Sequence, residues 1–358
     1  MKFPGLVFIL LLAAGGAIAQ TAAIDSFING YAQNNNFNGT VLIQKNGRPV
    51  YHKSFGLANI PFRVPDKNET KYRIASITKL FTSVLIMQLQ EKGKIDPGQT
   101  IRTYLPDYKG EGADKVTVHQ LLNHTSGMVN IDTITSMESA LKNGLGVYQR
   151  PYTTDELLTK YCSDTLVAEP GKVFNYNNAE YIILGKIIER VTGKMYNEVL
   201  KEFILQPLGM TNSGLLYQHQ IISGLADTYF YRDDIQALVN DLPVYIENWY
   251  ASGAMYSTTG DLLKFTTALF GLKLLKQASL DRMFTPALDE YAYGVWVYKD
   301  YEINKKMYTI VKRPGRIMGA QGMLFHILEA NATVFLLSNT GTASLDEFAA
   351  KIAERIIP

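Results

Sequence analysis

Cysteine is nearly absent. Cys162 is the only one in 358 residues, so the chain cannot close an intramolecular disulfide, and its stability must come from a packed core. Charge bias is missing too: 35 lysines and arginines against 33 aspartates and glutamates leave a formal charge of +2. That balance offers no electrostatic footprint for nucleic acid or for an anionic membrane surface. The expected partner is therefore a small-molecule or short-peptide substrate, with no nucleic acid. The histidines, His52, His119, His124, His219 and His326, are scattered without metal-ligand spacing, and no glycine-rich phosphate loop is present, so neither a metal nor a nucleotide cofactor is implied. Gly-x-Ser-x-Gly is absent as well, which argues against a nucleophile elbow. His124-Thr-Ser126-Gly127 reads as structural, because adjacent residues rarely meet in working Ser–His geometry.

Long hydrophobic runs are also lacking. The run from Leu6 to Ala14, behind Lys2 and ahead of Ala17-Ile18-Ala19, falls short of the roughly 20 apolar residues of a spanning helix. It reads as a secretory leader over residues 1–19 with Ala-x-Ala cleavage, the alternative being an uncleaved anchor. No cysteine stands at that boundary for lipid attachment. The mature chain is expected to be exported, periplasmic or extracellular, with no stable membrane span after cleavage.

What is present is ordinary globular composition, 47% hydrophobic and 19% charged, arranged with β-rich ends and a helical middle. Ile24, Phe27, Ile28 and Tyr31 recur at helical spacing. Residues 39–45 and 49–55 then flank Asn46-Gly47, a strong hairpin signal. At the far end, 293–298, 306–311, 323–328 and 332–338 are rich in aromatic and β-branched residues and read as strands. A last helix starts at a capping box of Ser344 and Glu347 and carries Leu345, Phe348, Ala349, Ile352, Ala353 and Ile356 on one stripe. Between the ends, helical periodicity appears at 157–161, 181–191, 196–204 and 262–275. The fold class expected is α+β: an antiparallel sheet built from both chain ends (20–75 and 286–358) with flanking helices, and an inserted, mainly helical domain over 76–285. A cleft between two such units is a usual ligand site.

The stretch from Arg73 to Leu89 reads as a helix apolar almost all round, closed by Gly93, and such a helix belongs inside a core. Ser76 and Lys79 at its mouth are three residues apart, so their Cβ atoms lie roughly 5–6 Å apart on one helical face. That places a hydroxyl beside a potential proton acceptor, at a helix start whose free N–H groups favour a developing oxyanion. The plain alternative is a serine cap and a surface lysine. Ser-x-x-Lys occurs a second time, at Ser139 and Lys142, in a polar run with no apolar helix behind it.

Further on, residues 169–178 form a tight loop leading into a helix that Asn177 can cap, with Glu180 three residues on and Gly193 ending it. Tyr176 projects from that loop. A nearby ammonium would favour its phenolate, making it a general base for a serine. Asn178 could donate to a substrate amide or position the lysine. Otherwise Tyr176 is one of 22 tyrosines and Asn178 a turn residue.

With Ser76-x-x-Lys79 and Tyr176-x-Asn178 in this order, the chain resembles the penicillin-recognising serine hydrolases, specifically the class C β-lactamase-like branch. The same branch holds D-alanyl-D-alanine carboxypeptidases, D-aminopeptidases and esterases. Leu121-Leu-Asn-His-Thr-Ser-Gly-Met128, Glu169-Pro-Gly171, Phe174-Asn-Tyr-Asn-Asn178, Pro207-Leu-Gly-Met210 and Ser257-Thr-x-Gly-Asp-Leu262 look like landmarks in family order. The resemblance implies a β-lactamase/transpeptidase-like fold and a serine hydrolase working through an acyl-enzyme on a β-lactam, a D-amino-acid peptide derived from cell wall, or an ester. It implies Ser76 as nucleophile, Lys79 and Tyr176 as handlers of its proton, and Asn178 as a contact to the substrate amide. The third family motif falls on Arg313-Pro314-Gly315, where Lys or His is usual. Arginine cannot give up its proton, so Arg313 is expected to bind a substrate carboxylate or to keep Tyr176 ionised. Proline lacks an N–H, so the second oxyanion donor is expected beyond it, at the amide of Arg316. The rival reading is a penicillin-binding sensor, or an inactive relative, without turnover.

Overall fold

The structure is a computed structural model that describes residues 22–134 and 136–358. The leader expected over 1–19 lies outside those residues. No helix among the described residues is long and apolar enough to cross a membrane.

Both chain ends meet in one sheet. Strands β1 (Gly39–Lys45) and β2 (Arg48–Phe55) form the expected hairpin, turning at Asn46 and Gly47, whose φ angles of 53° and 75° are the pair a type I′ turn requires. From the other end come β3 (Trp296–Ile303), β4 (Lys306–Ile317), β5 (Ala320–Ile327) and β6 (Ala332–Ser338). They join as a six-stranded antiparallel sheet in the order β3-β4-β5-β6-β1-β2. The junction of the two ends is the β1–β6 pairing, in register from Gly39 opposite Ser338 to Lys45 opposite Ala332. The strand expected at 293–298 begins only at Trp296, because Gly294 takes a φ of 76° that breaks extended backbone.

Alternation along β1 sends Val41 and Ile43 to one face and Leu42 to the other. The first face is covered by a helix over 22–34, α1, through Ile24, Ile28 and Tyr31, and by the C-terminal helix Leu345–Ile356 through Phe348, Ile352 and Ile356. The rings of Tyr31 and Phe348 stack at 4.0 Å. Ser344 accepts from the Glu347 amide at 3.4 Å, so the one-way cap of the expected capping box is present.

The opposite face carries the helical region in a continuous apolar cluster. At its centre is α2 (Thr78–Glu91), in which every residue from Thr78 to Met87 is buried. It starts later than the pattern suggested: Tyr72–Arg73 is a short strand pairing with Met255–Ser257, and a 3-10 turn over Ala75–Ile77 leads into the helix. Gly93, at φ 66°, ends it, with Lys94 N donating to Leu89 O at 2.9 Å. Phe81 stacks on Phe265 of a helix over Thr259–Phe270 at 3.9 Å. A further helix, α3 (Asn178–Thr192), is capped by Asn177 and closed by Gly193 in the left-handed conformation, as its sequence indicated. The second Ser-x-x-Lys lies on a short helix, Met137–Asn143, where Ser139 Oγ accepts from Asn143 Nδ2.

The sheet meets the start of α2 at one point. An added Cβ on Gly315 in β4 would stand 2.4 Å from the Ile74 carbonyl oxygen and 3.1 Å from the Ser76 nitrogen. Only glycine permits that approach. Gly315→Ala is therefore expected to lower stability by about 1–3 kcal/mol, read as a fall in the urea midpoint. Gly30→Ala, in α1 with open space around the new Cβ, is expected to leave the midpoint level or raise it by up to about 1 kcal/mol.

Candidate active site

Ser76 sits in the 3-10 turn, partly open to solvent, directly after Ala75, which holds a φ of 46°. A left-handed alanine is strained by the order of 1 kcal/mol and has to be held by its surroundings. The surroundings do hold it: Thr78 Oγ1 donates to Ala75 O at 2.7 Å, and Ile74 N donates to Met255 O at 3.0 Å. The sharp turn brings the Ser76 hydroxyl out at the mouth of a helix that is otherwise buried.

The structure brings Ser76, Lys79 and Tyr176 together. Lys79 Nζ donates to Ser76 Oγ at 3.2 Å, and the Tyr176 hydroxyl lies 2.8 Å from the same oxygen. Lys79 is wholly buried, and its other two protons go to Asn178 Oδ1 at 2.6 Å and the Ser252 carbonyl at 2.9 Å. All three donors of the ammonium are thereby directed. Burial pushes the amine down to about 8, with Arg313 adding to the fall and Tyr176 opposing it. Burial alone would push the Tyr176 phenol up, but the cations Arg313 and Lys79 together outweigh it and bring it down to about 8. The two groups are thereby brought to similar acidity.

Arg313 is also wholly buried. Its fork is spent inside the protein: Nε on the Ser76 carbonyl at 2.7 Å, one terminal nitrogen on the Tyr291 hydroxyl at 2.9 Å and the other on the Tyr176 hydroxyl at 2.6 Å. Each of its three nitrogens is engaged inside the protein and the side chain is closed off from solvent, so of the two roles expected for Arg313 the geometry fits the second, beside the Tyr176 oxygen. Arg316, by contrast, is exposed at the rim.

β4 explains how a proline fits here. Pairing with β3 stops at Lys312 opposite Trp296, leaving 313–317 with β5 alone. Leu328 N donates to Thr309 O, which makes residues 309, 311, 313, 315 and 317 the positions bonded to β5. Pro314 and Arg316 therefore turn their backbone toward the open edge. Proline loses no ladder bond there, and the Arg316 amide is left without a ladder partner.

Asn178 departs from a substrate contact. Its carbonyl oxygen accepts from Lys79, and its Nδ2 donates to Asp132 Oδ2 at 2.8 Å and to the Tyr148 hydroxyl at 3.2 Å. The amide is saturated and acts as a bridge from Lys79 to Asp132. Asp132 and Tyr148, joined at 2.6 Å, carried no motif in the sequence. Burial raises the Asp132 carboxyl, which Tyr148, Lys79 and Asn178 in part bring back down. His124, set aside on sequence grounds, bonds Glu180 rather than Ser126. Burial pushes His124 well below its usual range, with Lys79 and Arg313 adding to it, and pushes Glu180 well above. The pair ties the Tyr176 loop: Asn175 N donates to His124 O at 2.9 Å and Asn177 N to His124 Nδ1 at 3.3 Å. Glu180 is thus taken from the capping role its spacing suggested.

Ser76, Tyr176, Asn178 and Asp132 face a cavity of about 290 Å³. A larger cleft of about 780 Å³ between Tyr108 and Met195 contains Ser163 and Lys186, but Ser163 donates to Leu158 O and Lys186 is paired with Asp155 and Glu189, so it has no poised nucleophile.

Known proteins share this arrangement of elements. The chain is 29% identical to penicillin-binding protein 4* of Bacillus subtilis (strain 168) over 328 residues, 85% of this chain and 68% of that one. It spans between 37% and 68% of the length of the first curated relatives it matches. An octameric penicillin-binding protein homologue from Pyrococcus abyssi superposes with a TM-score of 0.77 at 28% identity, covering 92% of this chain and 75% of the other. The D-amino acid amidase of Ochrobactrum anthropi SV3 superposes with a TM-score of 0.78 at 22% identity, covering 94% and 97%, a likeness of fold. The profile of the family described as Beta-lactamase matches residues 24–356, nearly the whole described chain, and the protein belongs to that family.

Proposed function

We propose that this protein is an exported serine hydrolase that attacks an amide or ester carbonyl with Ser76 and passes through an acyl-enzyme. The observation that carries the reading is the meeting of one hydroxyl with an amine at 3.2 Å and a phenol at 2.8 Å on a cavity wall. The proton of Ser76 passes to the Tyr176 phenolate as the oxygen attacks, and the amide N–H groups of Ser76 and Arg316 receive the oxyanion. Tyr176 then protonates the leaving amine or alcohol, with Lys79 holding the opposite charge close by. Water enters and loses its proton to Tyr176 as it attacks the acyl carbon; the acyl–Oγ bond breaks, Tyr176 returns that proton to Ser76 Oγ, and the acid product leaves. Asn178 positions Lys79, and Arg313 sustains the phenolate. The leader expected from the sequence of residues 1–19 supports export, and the cell wall is then within reach as a source of substrate. Penicillin-binding and D-amino acid amidase names among the relatives and structural neighbours support a β-lactam, a D-peptide or a D-aminoacyl amide as substrate classes.

Treatment with a fluorophosphonate and with a fluorescent penicillin tests the acylation. Label is expected on Ser76, decaying with time for at least one reagent, and absent from Ser76→Ala. Permanent label with both would mean a sensor, and no label with either would sink the hydrolase.

The base must be ionised to act, and its phenol is held at about 8, so kcat/KM is expected to climb as pH rises toward 8. Removing the guanidinium takes away the first cation that favours the phenolate. Arg313→Ala is thus expected to move the acid limb of the profile upward by at least about one pH unit and so to cut kcat/KM at pH 7 at least about tenfold. An unshifted profile would remove Arg313 from the mechanism.

A further inference from the structure

The wall facing Ser76 is largely apolar, and beyond the reacting groups its charged members are one carboxylate and, at the rim, Arg316. Among the described residues that line the cavity, Asp132 is the only acid, set beside Ile131, Ile134, Leu145, Val147 and Trp249. Both of its oxygens are fixed: Oδ1 accepts from the Tyr148 hydroxyl at 2.6 Å, and Oδ2 from Asn178 Nδ2 at 2.8 Å. Tyr148 is itself held, its ring lying flat on Trp249 at 3.6 Å and 4°, and the Asp132 amide donates to Asn130 Oδ1 at 2.9 Å. A carboxylate oxygen has two acceptor positions, so each keeps one free. Both partners are neutral. The Lys79 ammonium acts on this carboxylate only across the Asn178 amide, and no cation bonds it directly, so its free acceptor positions suit a ligand that brings a cation into contact.

The path from Asp132 to Ser76 says where in the ligand that cation belongs. Lys79 Nζ touches Ser76 Oγ at 3.2 Å and Asn178 Oδ1 at 2.6 Å, and the other end of the same amide touches Asp132. One amide group therefore separates the carboxylate from the ammonium beside the nucleophile. The α-ammonium of an aminoacyl group, one carbon from its carbonyl, suits that spacing, and about 290 Å³ accommodates its side chain. Resting on the hydrolase reading above, we propose that Asp132 is a specificity-determining residue: it receives the free α-ammonium of an aminoacyl amide, ester or peptide whose carbonyl Ser76 attacks, while the apolar wall takes the side chain.

The test measures kcat/KM of the full chain and of Asp132→Asn on the p-nitroanilides of D- and L-phenylalanine and on their N-acetyl forms. The wild-type protein is expected to favour the free amine for at least one enantiomer. Asp132→Asn is expected to lower the ratio of free-amine to N-acetyl kcat/KM by at least about tenfold, the scale of one hydrogen bond to a charged group, with Asp132→Glu restoring part of it. An equal fall on both substrates would mean that Asp132 acts only through Asn178 on Lys79, and would overturn the proposal, as would a wild-type preference for the N-acetyl forms. Fluorophosphonate labelling of Ser76 in the same samples separates the two levels. Labelled protein without amine preference overturns the role of Asp132 alone, whereas wild-type protein that neither labels nor turns over any of the four substrates overturns the hydrolase reading with it.

Discussion

Two buried cations on either side of one phenol oxygen are the constraint around which the site is built. Lys79 and Arg313 are both removed from water, and an isolated buried charge is so costly that it normally persists only when paired and hydrogen-bonded. Arg313 meets Tyr176 at 2.6 Å, and the Lys79 ammonium sits 4.7 Å from the centre of the same ring. The phenol is thus the nearest place for compensating negative charge, and this is why it ionises near 8 despite its burial. A second acid, Asp132, stands one amide beyond Lys79. The aromatic rings of Tyr176, Tyr291 and Trp296, each within 6 Å of the guanidinium carbon, exclude water while offering their electron-rich faces.

Backbone geometry converts that charge arrangement into a reactive one. The left-handed Ala75 lifts Ser76 out of a helix that would otherwise bury it, and the Arg313 Nε bond to the Ser76 carbonyl anchors the turn from the sheet side. The same strand that delivers Arg313 delivers Gly315, whose missing side chain allows the contact, and Pro314, which is harmless because β3 has already ended. One segment of four residues therefore sets a charge, a close approach and a free amide. Arginine at 313 changes the chemistry available: a histidine or lysine there could carry a proton, whereas arginine contributes a fixed field. In the proposed mechanism, proton movement is left to Tyr176 and Lys79.

Much of this was legible in the sequence where local rules govern. The hairpin at Asn46-Gly47, the caps Asn177 and Ser344, and the Gly193 terminator rest on backbone chemistry confined to a few residues, and each formed where its residues indicated. Ser76, Lys79 and Tyr176 were legible because two short motifs carry them. Asp132 and Tyr148 were not, since nothing within their own stretch distinguishes them: they matter only because Asn178, 46 and 30 residues away, turns its amide toward both. The strand at 293 was misplaced for a similar reason. Its aromatic run suits extended backbone, but Gly294 bends where a Cβ would come within 2.6 Å of Ser83 Oγ, and that packing against α2 is invisible from the strand alone.

The saturated amide of Asn178 ties these observations to substrate choice. In a site where Asn178 had a free N–H, the substrate's own amide would be the natural partner. Here both protons are committed to Asp132 and Tyr148, so recognition on that side of the cavity shifts one residue outward, from a neutral donor to a carboxylate. A neutral donor discriminates weakly among acyl groups, because most carry an acceptor. A carboxylate held rigidly against an apolar wall discriminates by charge: it gains from a cation and repels an acid. Under the proposed hydrolase reading, selection on that side then depends on whether the group next to the attacked carbonyl carries a positive charge, a property independent of the bond-breaking roles proposed for Ser76, Lys79 and Tyr176.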